Sequence, residues 1–400
     1  MMEMMELELP VPLPIGRKVQ LELLERTPSE RRNPTVRKRL AALLVGDDQF
    51  DRARAELEIL DDPDDFQALY LAGTCDLVDE TEASNRRAAA SFGRAAEFAP
   101  TASDRAYALA EYAKCLVRLG DDVVAREQLE RALELEPGHH NAWKRMASME
   151  LRTGHADRLM QRTEHQVRNG IAHPTVLSAR TLALCATGRV EEALAFQAVP
   201  ELTFTNRCAP PDGWASIEDF NAELTAELLS LAGPRREHYG LASVNSLRVD
   251  QPLTTTAKAF PALLRSIRTA VVTYARTVSA TDHPLAVAAP RSAFLRAWAV
   301  ITDGAGFEAW HVHQNGWLSG VYYAAVPTGL DESTGSAGCL EFGLPDIIKG
   351  VEPPEDAPST LLRPEPGLLS ISPSHAYHRT HSHQRDDWRI CVAFDVVPVR

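Results

Sequence analysis

The chain has 400 residues, of which 24% are charged, and carries six cysteines and a formal net charge of −13. That length allows two or three domains with cores of their own, and the acid excess excludes a sequence-independent, basic grip on nucleic acid. No apolar run approaches the roughly 18 residues of a spanning helix, and the opening MMEMMELELPVPLPIG lacks the basic start of a secretory signal. The cysteines (Cys75, Cys115, Cys185, Cys208, Cys339, Cys391) are scattered without a CxxC pair, so neither a disulfide framework nor a zinc site is expected. A cytoplasmic chain without membrane or nucleic-acid partners is the expectation.

The order along the chain predicts an N-terminal extension over 1–30, helical repeats over 31–199, a linker over 200–212 and a second domain over 213–400. Gly120, Gly154 and Gly188 stand 34 residues apart in alanine- and leucine-rich sequence, the mark of a helix-turn-helix solenoid. In the best copy Leu109, Tyr112, Ala113 and Leu116 line one helix, Gly120 breaks it, and Ala125, Leu129 and Ala132 line the next. Pro137 then stops the chain from continuing as helix. The copy resembles the tetratricopeptide repeat. Trp143, Ala147 and Leu159 mark a second copy, Leu177, Leu184 and Ala193 a third, and Ala88, Phe92 and Ala95 an earlier one that ends at Pro100. Such repeats must stack to bury their apolar faces, and their concave face offers a place for a protein or peptide.

VPELTFTNRCAPPDGW, with Pro200, Pro210 and Pro211, interrupts the helical pattern and reads as the linker. Two amphipathic helices follow, SIEDFNAELTAELLSLA and AFPALLRSIRTAVVTYARTV. From about Leu295 the sequence turns to short β-rich runs between Gly, Pro and Asp turns: FLRAWAVIT, WLSGVYYAAV, GCLEFG, GLLSIS and WRICVAFDVV. The fold class expected is therefore α+β and multidomain, an all-α solenoid followed by a β-sandwich or a double-stranded β-helix, or jelly roll, with flanking helices.

Residues 311–383 hold six of the thirteen histidines. His311 and His313 are expected at the start of a strand, where alternate side chains face the same way and both imidazoles can point into the mouth of a barrel. A distal loop offers His375, His378, His381 and His383, and one imidazole from it would complete a three-point site suited to iron, zinc, copper or nickel. Taken singly, each histidine reads as a hydrogen-bonded or exposed side chain; the HxH pair with a histidine-rich loop favours metal. Arg389 heads RICVAFDVV, and alternation sends Arg389, Cys391 and Ala393 to one face. An inward arginine is costly to bury unless an anion meets it, so the pattern describes a pocket for a chelating dicarboxylate.

HVHQNGWLSGVYYAAVP, GCLEFG, RPEPGLLSISPSHAYHRT and RICVAFDVVP together resemble the 2-oxoglutarate/Fe(II)-dependent oxygenases, in a bacterial branch fused to tetratricopeptide repeats. The resemblance covers roughly Gly213 to Val399. It implies Fe(II) as metal and 2-oxoglutarate as co-substrate, with release of succinate and CO2. It makes His311 and His378 iron ligands, Arg389 the anchor of the far carboxylate, and Tyr322 and Tyr323 candidates for a further hydrogen bond to 2-oxoglutarate. His313 stands where the superfamily has a carboxylate; it can ligate as a third neutral donor or leave the position open, and Asp303, Glu308 and Glu341 are the carboxylates nearby in sequence. Two rival readings are a three-histidine, cupin-like metalloenzyme without 2-oxoglutarate, which leaves Arg389 unexplained, and a non-catalytic interaction protein working through its repeats. The substrate is open between a protein, peptide or carrier-bound group held by the repeats and a small molecule.

Overall fold

The computed structural model describes residues 5–12, 16–233, 242–346 and 348–399; residues 1–4 and 13–15 of the opening stretch lie outside them. In it the three glycines at the repeat spacing each follow a helix with φ in the left-handed region, +83° at Gly120, +76° at Gly154 and +78° at Gly188. A glycine there takes the helix-ending conformation without the Cβ penalty any other residue would meet.

The chain divides into two compact units, residues 15–153 and residues 1–14 with 154–400. The first is a helical array: α1 (Arg17–Arg26), α2 (Pro34–Val45), α3 (Phe50–Leu57), α4 (Phe66–Asp76), α5 (Glu82–Glu97), α6 (Ala102–Arg118), α7 (Asp122–Leu135) and α8 (His140–Arg152). Side-chain oxygens of Thr81, Thr101 and Asp121 cap α5, α6 and α7, supplying acceptors for amides that have no partner within the helix. Ala113, Ala125, Leu129 and Ala132 are fully buried in one cluster with Leu109, Leu116, Ala142 and Met146, where small side chains let the helices approach closely. His139 is buried and caps α8 by accepting from the Ala142 amide.

The second unit contains α9 (Ala156–Arg168), α10 (Pro174–Ala186), α11 (Val190–Gln197), α12 (Ile217–Leu231), α13 (Ala259–Ser279) and α14 (Pro284–Val287). Its strands are β1 (Glu6–Glu8), β2 (Phe204–Arg207), β3 (Ser243–Val249), β4 (Ser292–Glu308), β5 (Leu318–Ala325), β6 (Leu340–Phe342), β7 (Thr360–Leu362), β8 (Leu368–Pro373), β9 (His378–Thr380) and β10 (Arg389–Pro398). A major sheet runs β1-β4-β10-β5-β8-β2, with β3 also on β4, and a minor sheet runs β7-β6-β9. The arrangement is a jelly roll with helices, one of the two forms that the strand and turn signals allowed.

The β-rich runs become β4, β5, β6, β8 and β10, while β1, β2, β3, β7 and β9 carry no comparable pattern. β4 is 17 residues long because one of its edges serves two short strands: β1 pairs parallel near Ser292–Phe294 and β3 antiparallel from Ala299 to Glu308. Residues 200–212, expected as a linker, contain β2, which pairs antiparallel with β8.

The pleat sorts the major sheet into two faces. Leu295, Ala297, Ala299 and Ile301 of β4, Leu318, Tyr322 and Ala324 of β5, and Ile390, Val392, Phe394 and Val396 of β10 pack with α12 and α13, through Phe220, Leu224, Leu263 and Ile267, in the main core. α13 begins where Glu227 of α12 accepts hydrogen bonds from the amides of Lys258, Ala259 and Phe260. A carboxylate at a helix N-terminus satisfies orphan donors and opposes the positive end of the dipole, which fixes the two helices on that face. The opposite face, with Trp298, Val300, Tyr323 and Cys391, is left for a site.

Candidate metal centre

His311 and His313 lie on the link between β4 and β5 rather than inside a strand. His311 nevertheless pairs with His378, each amide donating to the other's carbonyl at 2.9 and 3.1 Å, and the His313 amide donates to the Ser374 carbonyl at 2.9 Å. Those main-chain bonds stitch the link to the segment entering β9, so three imidazoles converge: the ligand atoms of His311, His313 and His378 all lie within 4.8 Å of one another. Nε2 of His313 and Nε2 of His378 are 3.2 Å apart.

Each ring is oriented from behind. Nδ1 of His311 lies 2.7 Å from the Ala309 carbonyl, and Nδ1 of His378 lies 2.9 Å from the Ala376 carbonyl. A carbonyl only accepts, so Nδ1 carries the proton in both rings and Nε2 keeps its lone pair for the centre. Nδ1 of His313 lies 2.5 Å from Oδ1 of Asp395. Burial, with His313 as a further cause, pushes the His311 imidazole down to about 3, and burial followed by the neighbouring histidines holds His378 well below the usual histidine range. Both rings are therefore neutral, ligand-ready donors at neutral pH. Trp298 stacks on His313 at 5.8 Å, and the Phe342 ring is 5.6 Å from His378. This donor set fits a divalent transition metal: three imidazoles, each turned with Nδ1 to an acceptor, in a walled site.

Arg389 is 2% exposed. Its Nη1 donates to the Gly338 carbonyl and its Nη2 to the Thr380 hydroxyl, each at 3.1 Å. Thr380 shares a strand face with His378, two residues back, so the guanidinium is tied to the strand that carries a candidate metal ligand. Its buried Nε has no hydrogen-bond partner, and among the described residues it forms no ion pair. A buried guanidinium with spare donors and only neutral acceptors is an arrangement an anionic ligand completes.

Tyr323 packs on the site face with Trp298 and Cys391. Tyr322 does not: its hydroxyl donates to Asn221 at 2.6 Å on the helix side, because successive residues of a strand face opposite ways. The other loop histidines serve structure. His375 Nε2 meets the Phe196 carbonyl, His381 meets Glu341, and His383 Nε2 meets the Thr302 carbonyl. Of the nearby carboxylates, Glu341 is occupied by Arg379 and His381. Asp303 accepts from the Ala305 amide. Glu308 is half-buried, with Oε1 shielded and unpartnered; burial raises its carboxyl, against the opposing charges of Arg248 and Arg389. The residue the sequence reading missed is Asp395. The alternation that placed Arg389, Cys391 and Ala393 on one face reaches it at the next step.

Residues 296–395 match the family model described as "Putative 2OG-Fe(II) oxygenase", a segment that contains all three histidines, Arg389 and Asp395. Residues 108–149 match the tetratricopeptide repeat. None of the curated proteins matches the chain. Among solved structures it is similar to a Pseudomonas putida prolyl-4-hydroxylase, at 13% identity and a TM-score of 0.34, over 54% of this chain and 100% of that one. It is also similar to a Trichoplax adhaerens prolyl hydroxylase in complex with a hypoxia inducible factor peptide fragment, at 10% identity and a TM-score of 0.33, over 55% and 90% of the two chains. A third is YrrB, a tetratricopeptide-repeat protein with an unusual peptide-binding site, at 18% identity and a TM-score of 0.33, over 45% and 89%. No described helix is long and apolar enough to cross a membrane.

Proposed function

We propose that the second unit is a non-haem Fe(II)- and 2-oxoglutarate-dependent oxygenase that oxidises a substrate with release of succinate and CO2. The observation that carries this reading is the pairing of three convergent, tautomer-fixed imidazoles with a buried Arg389 that makes no ion pair among the described residues and is hydrogen-bonded to Thr380 of β9. Fe(II) with 2-oxoglutarate would supply the oxidising chemistry; the protein supplies position, charge and exclusion of water.

In this reading Nε2 of His311, His313 and His378 hold the metal. Arg389 receives the far carboxylate of 2-oxoglutarate, with Gly338 and Thr380 fixing the plane of its guanidinium. Two parallel N–H donors suit a carboxylate better than a point charge does. Trp298 and Phe342 wall His313 and His378, which keeps bulk water from the ligands and strengthens electrostatic contacts inside. Tyr323 lies on the face where it can lend a hydroxyl to the co-substrate. The repeats offer a surface for a protein, peptide or carrier-bound substrate, and a small molecule would need only the pocket.

One observation favours a second reading: none of the three ligands is a carboxylate, as in three-histidine metalloenzymes that use no 2-oxoglutarate. Incubating the full chain with Fe(II), O2 and 2-oxoglutarate separates the two. Fe(II)-dependent formation of succinate, lost in Arg389→Ala, supports the oxygenase; tight metal binding with no effect of 2-oxoglutarate on the metal or its own consumption supports the alternative.

A further inference from the structure

Resting on the metal-site reading above, we propose that Asp395 is a positioning residue that supplies, through His313, the negative charge the ligand set itself lacks.

The three candidate ligands are not equivalent. His311 and His378 are backed by main-chain carbonyls, which are neutral, whereas His313 is backed by a carboxylate, with Nδ1 to Oδ1 at 2.5 Å. Asp395 is 5% exposed, and among the described residues His313 is its ion-pair partner. Arg296, its cross-strand neighbour in β4, stands in register with it but makes no ion pair with it among the described residues. A buried carboxylate is costly without compensation, and a cation held on the far nitrogen of the same ring provides it. Hydrogen bonding to an anion also raises the basicity of the imidazole as a ligand. The charge thus sits one ring behind the metal instead of on it.

The packing fixes this relay in place. The link from His311 to Trp317 passes so near β10 that a Cβ on Gly316 would lie 3.2 Å from Cβ of Asp395 and 2.8 Å from the Ser374 hydroxyl. Position 313 is therefore built for a side chain that reaches between Asp395 and the centre. An aspartate there would set a second carboxylate beside Asp395.

The test uses the full chain and Co(II) alone, followed by competition with a chelating dye and by the visible ligand-field spectrum, with no co-substrate present. Asp395→Asn keeps an oxygen that accepts from Nδ1 but removes the charge. It should bind Co(II) about 10–100-fold more weakly, with an altered Co(II) spectrum and an unchanged melting temperature in the absence of metal. His313→Asp should also lose affinity, and His313→Asp with Asp395→Asn should recover part of it. Wild-type affinity and spectrum in Asp395→Asn would overturn the inference, since a merely structural hydrogen bond survives that change. If Asp395→Asn does not fold, Zn(II)-loaded wild type with nitrogen-15 histidine decides the matter. One ligand Nδ1–H proton should resonate well downfield of the other two, and three alike would overturn the charge relay. A wild-type chain that takes up no Co(II) overturns the metal site itself, and this inference with it.

Discussion

Tyr322 and Tyr323 are adjacent in β5, yet the first donates its hydroxyl to Asn221 in the helix-side core while the second packs beside Cys391 on the site face. The two should respond differently to loss of the hydroxyl. Tyr322→Phe leaves Asn221 short of a donor in a buried position and should cost about 1–3 kcal/mol of stability, read by urea denaturation, with metal and 2-oxoglutarate affinity unchanged. Tyr323→Phe should weaken 2-oxoglutarate binding more than it lowers stability. The reverse pattern would mean that the faces have been assigned wrongly.

Arg389→Ala should weaken 2-oxoglutarate binding at least tenfold, because charged hydrogen bonds of this kind contribute about 1.5–3 kcal/mol each. Metal affinity measured without co-substrate should barely change. Arg389→Lys should recover little, as it lacks the planar pair of donors. Isothermal titration with Mn(II) in place of Fe(II) gives both constants, and an unchanged 2-oxoglutarate affinity would remove Arg389 from the site.

A shortened chain tests how far the jelly roll extends upstream. Ala172, Leu177, Ala198 and Leu202 belong to the same core as Phe220 and Phe394. The Gln197 side chain donates to the Gly343 carbonyl at 3.0 Å and accepts from the Tyr377 amide at 2.6 Å. A chain beginning at Pro211 loses these and β2, and each large buried aliphatic removed costs about 2–5 kcal/mol. It should show no cooperative thermal transition, whereas one beginning at Gly154 should. A cooperative, metal-binding 211–400 fragment would show that α10, α11 and β2 are dispensable.

Acid should destabilise the metal-free second unit. Burial, with His283 as a further cause, pushes His375 down to about 3 from an ordinary 6.5, and burial also lowers His283. Between those two values the unfolded chain binds a proton that the folded chain refuses, so stability rises with pH. The contribution is complete above about 6.5 and falls away as pH drops, at up to ~1.4 kcal/mol per pH unit for one group. Urea midpoints at pH 5, 6 and 7 should increase in that order, and His375→Phe should lower the slope by about one proton. An unchanged slope in that variant would show that His375 takes up its proton in the folded state.

Strong local patterns were legible in advance. The glycine period located the ends of α6, α8 and α10, and the dense apolar runs located β4, β5, β6, β8 and β10. Short strands such as β1, with a single buried residue at Leu7, carry no period long enough to read; they exist because β4 presents an edge for them to join. The convergence of His311, His313 and His378 followed from spacing and resemblance. The resemblance named His378 among the four loop histidines; spacing alone could not, because which of them lies beside His311 and His313 is a property of tertiary packing. Asp395 was within reach of the β10 alternation, but its bond to His313 spans 82 residues of sequence and shows only once the link from His311 to Trp317 lies against β10.

The central claim is that His311, His313, His378 and Arg389 form one site for Fe(II) with 2-oxoglutarate. Anaerobic titration of the wild-type chain with Fe(II), with and without 2-oxoglutarate, tests it most directly, through the visible metal-to-ligand charge-transfer absorption of the chelated co-substrate. Three neutral imidazoles leave the metal positively charged, so the account predicts weak binding of Fe(II) alone, tighter binding with 2-oxoglutarate, and an absorption band that saturates at one equivalent of each. The absence of any band, with Fe(II) affinity indifferent to 2-oxoglutarate, would contradict it.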